Sequence, residues 1–160
     1  MENKKLSSIQ KVQKAIKNKG YDFHILELPD STRTAREAAE VIGCAVSEIA
    51  KSLIFKGGNT GRPVLIIASG TNRVDLKKVG ELLGEPLNKA DADFIRTETG
   101  FAIGGIPPVG HKKQLHTIID EDLLNYETVW AAAGTPFSVF SLEPKNIEGL
   151  TGGLLANIKE

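Results

Sequence analysis

The chain of 160 residues predicts an α+β fold, a curved, mixed and largely antiparallel sheet with helices packed outside it. Three observations carry that prediction. Apolar residues recur at helical spacing in several segments, and alternating or wholly apolar β-type runs lie between them. Those β-type runs succeed one another as hairpins instead of alternating regularly with helices, which separates α+β from a βαβ wind.

Taken in order, residues 1–20 place Leu6, Ile9, Val12 and Ile16 three or four apart. That spacing draws one apolar stripe on an N-terminal packing helix that Gly20 ends. "YDFHILELP" alternates as a strand does before Pro29. Thr34 and Glu37 form a capping-box pair opening the helix "TAREAAEVIG", and Gly43 suits its stop. Ser47 is expected to cap a short turn. "KSLIFKGG" and "PVLIIASG", joined by a glycine-rich connection, read as a hairpin. The second run is apolar through six consecutive positions from Pro63 to Ala68. Burial on both faces makes it a central strand. "VDLKKVGELLG" returns to helical spacing, and "DADFIRTETG" reads as a helix with Asp91 capping and Gly100 closing. Beyond it come the strand "LHTIID", a helical turn "EDLLN", two strands in "ETVWAAAGTPFSVFSL" around the turn at Gly134 to Pro136, a helix begun by Pro144, and a closing strand "LLANI".

Composition bounds the function classes. The length suits one domain spanning residues 1–160, and 41% hydrophobic with 25% charged residues is the balance of a soluble globular protein. Twenty basic and twenty acidic residues cancel, so contact with nucleic acid must come from a local patch. No DNA partner and no membrane partner are expected. The lysine-rich N-terminus lacks the apolar run of a signal peptide, and the single cysteine, Cys44, excludes an internal disulfide. A cytoplasmic protein is the expectation.

Common enzyme signatures are missing: there is no GxxxxGK[ST], GxSxG or HExxH. His111 and His116 do not stack on one helix face, so no metal site is expected. Cys44 reads as a small buried hydrophobe in preference to a nucleophile. Lys77 and Lys78 read as a solvated helix face. Lys51 is different, because strand alternation places it on the face of Leu53 and Phe55, turned inward. Two readings stand equally: it snorkels to water, or it projects into a pocket where it holds an anion. In "GFAIGGIPPVGH", Gly104 and Gly105 allow close approach to the main chain, and Pro107 and Pro108 stiffen the second half of the loop. Such a loop suits a carbonyl oxygen that becomes an oxyanion; a tight bend or bulge is the competing account.

The ordered set "TAREAAEVIG", "EIAKSLIF", "PVLIIASGTNRVDLKKVGELLG", "TGFAIGGIPPVGH", "TIIDEDLL" and "VWAAAGTPFSVFSL" resembles the YbaK/prolyl-tRNA-synthetase-associated (ProX) editing domain family, over nearly everything after about residue 20. The resemblance implies a YbaK-like, barrel-like sheet around a pocket. It implies a trans-editing aminoacyl-tRNA deacylase that hydrolyses the ester on mischarged tRNA(Pro) or a related tRNA, without metal or organic cofactor. Lys51 matches the pocket lysine, Gly104, Gly105 and Pro107 match the loop that cradles the carbonyl, and Gly134 matches a small-residue segment on the rim. Thr34 and His111 are further substrate-contact candidates at the pocket edge. Thr34 and the run Pro107 to Gly110 depart from the branch acting on cysteinyl-tRNA, and alanine, serine, threonine and cysteine all stay open as the residue removed. The expected partners are the acceptor end of an aminoacyl-tRNA and a prolyl-tRNA synthetase. The competing classes are a non-catalytic aminoacyl- or nucleotide-binding module and a hydrolase of another small ester.

Overall fold

The computed structural model describes residues 5–160, so Met1 to Lys4 of the expected N-terminal segment lie outside the described residues. Helix α1 (Ser8–Asn18) starts where Ser7 and Gln10 cap each other: the Gln10 amide donates to Ser7 Oγ at 3.2 Å and the Ser7 amide to Gln10 Oε1 at 2.9 Å. Val12 and Ile16 of the expected stripe are fully buried, while Leu6 stays exposed. Strand β1 (Ile25–Glu27) is shorter than the alternation suggests. Helix α2 (Ala35–Ile42) opens on Thr34, whose Oγ1 accepts from the Glu37 amide at 3.1 Å, and closes on Gly43 in the left-handed region. The 3₁₀ turn after it (Val46–Glu48) contains Ser47 and is not capped by it; Glu48 Oε1 takes the Ala45 amide. A carboxylate three residues on reaches that amide better than the serine inside the turn.

Strands β2 (Ala50–Gly57) and β3 (Pro63–Ser69) form the expected antiparallel hairpin. Helix α3 (Leu76–Leu83), the short strand β4 (Leu87–Lys89) and helix α4 (Ala92–Thr99) come after it, with Asp75 and Asp91 as N-caps. Strand β5 (His116–Asp120), a 3₁₀ turn (Glu121–Asn125), β6 (Val129–Ala132) and β7 (Ser138–Leu142) come next. A 3₁₀ turn at Pro144–Asn146, helix α5 (Ile147–Thr151) and β8 (Leu154–Ala156) complete the chain.

These strands form two sheets, ordered β4-β2-β3-β5-β8 and β1-β7-β6. The pairings of β3 with β5 and of β5 with β8 are parallel; the other four are antiparallel. The fold is therefore α+β with mixed pairing. The expected barrel does not close. An isolated parallel bridge from Ile49 to Trp130 links the sheets, and beyond it β2 and β6 do not pair. β3 is central and buried from Val64 to Ser69, as a wholly apolar run requires.

Alternation gives the larger sheet two faces. Ala50, Ile54, Leu65, Ile67 and Ile119 enter the main core with α1, β6 and β7. On the opposite face Val64, Ile66, Ala68 and Ile118 pack with Val79 of α3 and with Leu87. No helix among the described residues is long and apolar enough to cross a membrane.

Candidate functional site

Where β2 and β6 diverge there is a cavity of about 430 Å³. Its walls come from β2, from Thr34 and Ala38 at and near the start of α2, from Gly104 and Ile106, and from Trp130 to Ala132 of β6. Lys51 and Gly104, far apart in sequence, border this one space. Lys51 is half-buried, and its Nζ donates to the Gly70 carbonyl at 3.5 Å. Desolvation pulls its pKa below the ordinary lysine value, and the carboxylate of Asp120 partly restores it. Asp120 is itself buried and fixed: it accepts from the Ser69 amide at 3.0 Å, from Asn72 Nδ2 at 2.8 Å and from the Asp122 amide at 3.0 Å. The same carboxylate thus organises the turn that presents Gly70 to Lys51.

Among the described residues, Arg33, Lys51 and Lys89 are the charged members of the lining, and none of these residues brings a carboxylate to it. A chain with no net charge therefore keeps a local cationic mouth, which suits an anionic ligand. Gly104 has φ +96°, and a Cβ there would sit 2.7 Å from Arg33 Cγ. Glycine is needed for the backbone angle, and its missing side chain lets the Arg33 stem lie against the loop.

Of the remaining sequence-predicted residues, Thr34 borders this cavity and the others do not. Thr34 lines the cavity at its exposed edge, its hydroxyl oxygen committed to the α2 cap. Gly105 lies behind Gly104, where a Cβ would meet the Thr135 main chain at 2.8 Å. Pro107 is buried and stands off the cavity; its carbonyl accepts from His111 Nε2 at 2.7 Å. His111 borders a separate cavity of about 210 Å³ beside α1, and burial lowers its pKa despite that carbonyl. Gly134, φ +104°, approaches Ser8 of α1 and does not line the Lys51 cavity. Cys44 is half-buried against Ala38, Ala39 and Ile49, and its thiol is pushed up by burial and by Glu48, which disfavours a thiolate. Lys78 Nζ donates to the Lys159 carbonyl at 2.6 Å, tying α3 to the C-terminal segment.

Sequence reasoning did not single out Ser52, Arg33, Lys89 or Trp130 of the lining. Only Arg33 carried a signal, a cation directly before a helix cap.

The profile of the aminoacyl-tRNA editing domain matches residues 29–150. The chain belongs to that family. This editing domain is similar to YwhH of Bacillus subtilis, 33% identical over 123 residues covering 77% of this chain and 78% of that protein. It is likewise 33% identical over 129 residues to EbsC of Enterococcus faecalis, named as a candidate Cys-tRNA(Pro)/Cys-tRNA(Cys) deacylase, covering 78% and 76% of the two chains. A solved structure described as a candidate trans-editing enzyme for prolyl tRNA synthetase superposes with a TM-score of 0.90 at 48% identity, covering 98% of this chain and 99% of the other. The editing domain is a deacylase acting on aminoacyl-tRNA.

Proposed function

We propose that this deacylase clears a small, wrongly attached amino acid from tRNA(Pro) or a related tRNA, as a single domain acting in trans beside a prolyl-tRNA synthetase in the cytoplasm. The cavity between the two sheets is its substrate pocket, with the sheets curving around it and the helices outside. One observation carries the site assignment: Lys51 and Gly104, picked out separately in the sequence, line the same cavity.

Lys51 holds the anionic end of the substrate, the terminal phosphate or ribose oxygens. Gly104 and Gly105 set the loop against which the ester carbonyl rests: the Gly104 N–H, at the cavity edge, meets the developing oxyanion, while the Gly105 amide holds the loop through the Ala102 carbonyl. A water oxygen attacks the carbonyl carbon, with the neighbouring ribose hydroxyl placed to assist it. In hydrolysis the carbon–oxygen bond to the ribose then breaks, and the proton from water ends on the ribose oxygen. An aminoacyl ester is already activated, so positioning and oxyanion stabilisation supply the rate without a dedicated acid/base pair. Thr34 contacts the terminal nucleoside at the rim. Pro107, His111 and Gly134 contribute through the loop they brace, Pro107 and His111 by their mutual hydrogen bond and Gly134 by its fit against α1.

The test is a deacylation panel: alanyl, seryl, threonyl and cysteinyl esters on tRNA(Pro) and on a second tRNA. At least one is released by the wild-type chain. Lys51→Ala slows that release by roughly ten- to a hundredfold, the loss of one hydrogen bond to a charged group. Survival of every ester sinks the function; wild-type rates in Lys51→Ala sink the site.

A further inference from the structure

Two buried side-chain polar atoms among the described residues lack a hydrogen bond, Arg62 Nε and Ser52 Oγ. Arg62 Nε has a counter-charge, Glu85 Oε2 at 3.0 Å. Ser52 Oγ has nothing. A hydroxyl buried without a partner forfeits the hydrogen bonds it makes in water, so such an atom in a folded protein calls for an explanation.

Its position supplies one. Ser52 lines the cavity and sits on β2 between Ala50 and Ile54, on the strand face opposite Lys51. That inner face is apolar: Ile54, Ile95, Ile106 and Ala131 belong both to the cavity wall and to the main core. A charged α-ammonium or phosphate entering there would lose its hydration without compensation. The small side chain of the aminoacyl group is the part of the substrate that suits an apolar end, and the ester and ribose stay with Lys51 and Gly104.

We propose that Ser52 determines specificity by pairing its free hydroxyl with a hydroxyl on the amino acid's β-carbon, so that the pocket takes a seryl ester in preference to an alanyl one. The inference rests on the editing reading of the same cavity. Ser52 Oγ both donates and accepts, so it engages a side-chain hydroxyl in either sense. A site built to hydrogen-bond a substrate hydroxyl discriminates against the analogue lacking it, because its own polar group is then left unpaired.

The experiment compares kcat/KM for seryl-tRNA(Pro) and alanyl-tRNA(Pro) in the wild-type chain and in Ser52→Ala, with thermal denaturation of both unliganded proteins. The wild type favours the seryl ester. Ser52→Ala reduces seryl turnover by about tenfold or more, the loss of one buried hydrogen bond. Alanyl turnover holds or rises, and the melting temperature of the free protein does not fall. Equal losses on both esters would mean that Ser52 touches a part common to them, and unchanged rates on both would mean that it touches neither; each overturns the proposal while leaving editing intact. A lowered melting temperature would overturn it too, by showing that the hydroxyl is already used in the free protein. Failure of all esters in the wild type strikes the editing reading itself.

Discussion

Gly105 offers a sharp test of how the loop is held. It is buried, its amide donates to the Ala102 carbonyl at 3.2 Å, and a Cβ built on it would lie 2.8 Å from the N, Cα and C atoms of Thr135. A side chain could swing aside; this main chain cannot. The turn around Thr135 is tied at several points: the Ala133 amide to the Ser138 carbonyl at 3.0 Å, Thr135 Oγ1 to Ser138 Oγ at 2.8 Å, the Thr32 amide to the Pro136 carbonyl at 2.6 Å and the Leu28 amide to the Phe137 carbonyl at 2.7 Å. Gly105→Ala must therefore push the whole turn or move its own loop. Overpacking of this kind costs about 1–3 kcal/mol. For a domain of this size each kcal/mol lowers Tm by roughly 2–4 °C, giving an expected fall of about 2–12 °C. Circular dichroism melts measure it, and deacylation assayed at 25 °C should fall as well, because Gly104 moves with Gly105. Gly84→Ala is the control: its φ is +78° and nothing lies within 4 Å of the added Cβ, so it strains the backbone without touching the loop. A Gly105→Ala protein that melts and deacylates like the wild type would refute the packing argument.

Glu85 clamps the β2–β3 connection, accepting from the Asn59 amide at 3.0 Å and from the Thr60 amide and hydroxyl, and pairing with Arg62. The Thr60 amide bond is the leading cause of its lowered pKa. A depressed folded-state pKa stabilises above the unfolded value of about 4.3 and is lost on acidification; Glu85→Gln should melt below wild type at pH 7, with the gap narrowing under about pH 4. His111 works with the opposite charge: burial keeps it neutral, so the unfolded chain binds the extra proton, and stability falls as pH drops through about 6.5. His111→Gln should flatten the slope of Tm between about pH 7.5 and 5; an unchanged slope would show that His111 does not titrate with unfolding.

Much of the fold was legible because its signals are local. The Thr34 and Asp91 caps, the stops at Gly43 and Gly100, and the apolar run of β3 each fix an element from a few adjacent residues. The features that stayed hidden depend on distant partners. β4 is three residues after a proline, and it is a strand only because Phe55 to Gly57 lie alongside it. The split into two sheets rests on β7 taking β1 and β6 as neighbours, which no local pattern reports. The site divides in the same way. Lys51 was visible as a charge on an otherwise apolar strand face, whereas Ser52 looks like an ordinary strand residue until its neighbours are known. Gly104, Gly105 and Gly134 look alike as glycines, yet one borders the cavity, one braces a turn and one seats a helix.

The unclosed barrel and the cavity are one feature. On its outer edge β2 pairs with β4 through residues 55–57, and the bridge to β6 lies at Ile49. From Ala50 to Ile54 that edge has no neighbouring strand among the described residues. The Gly57 amide bonds to Arg62 and the Gly70 amide to the Ile49 carbonyl, both toward the β3 side. Alternation then turns the main-chain N–H and C=O groups of Ser52 and Ile54 the other way, toward the gap. Zipping β6 along this edge would satisfy those groups and fill the space. Left open, the edge gives the cavity main-chain donors and acceptors set by the sheet beside an apolar wall. An amino acid ester, part carbonyl and part small side chain, needs both.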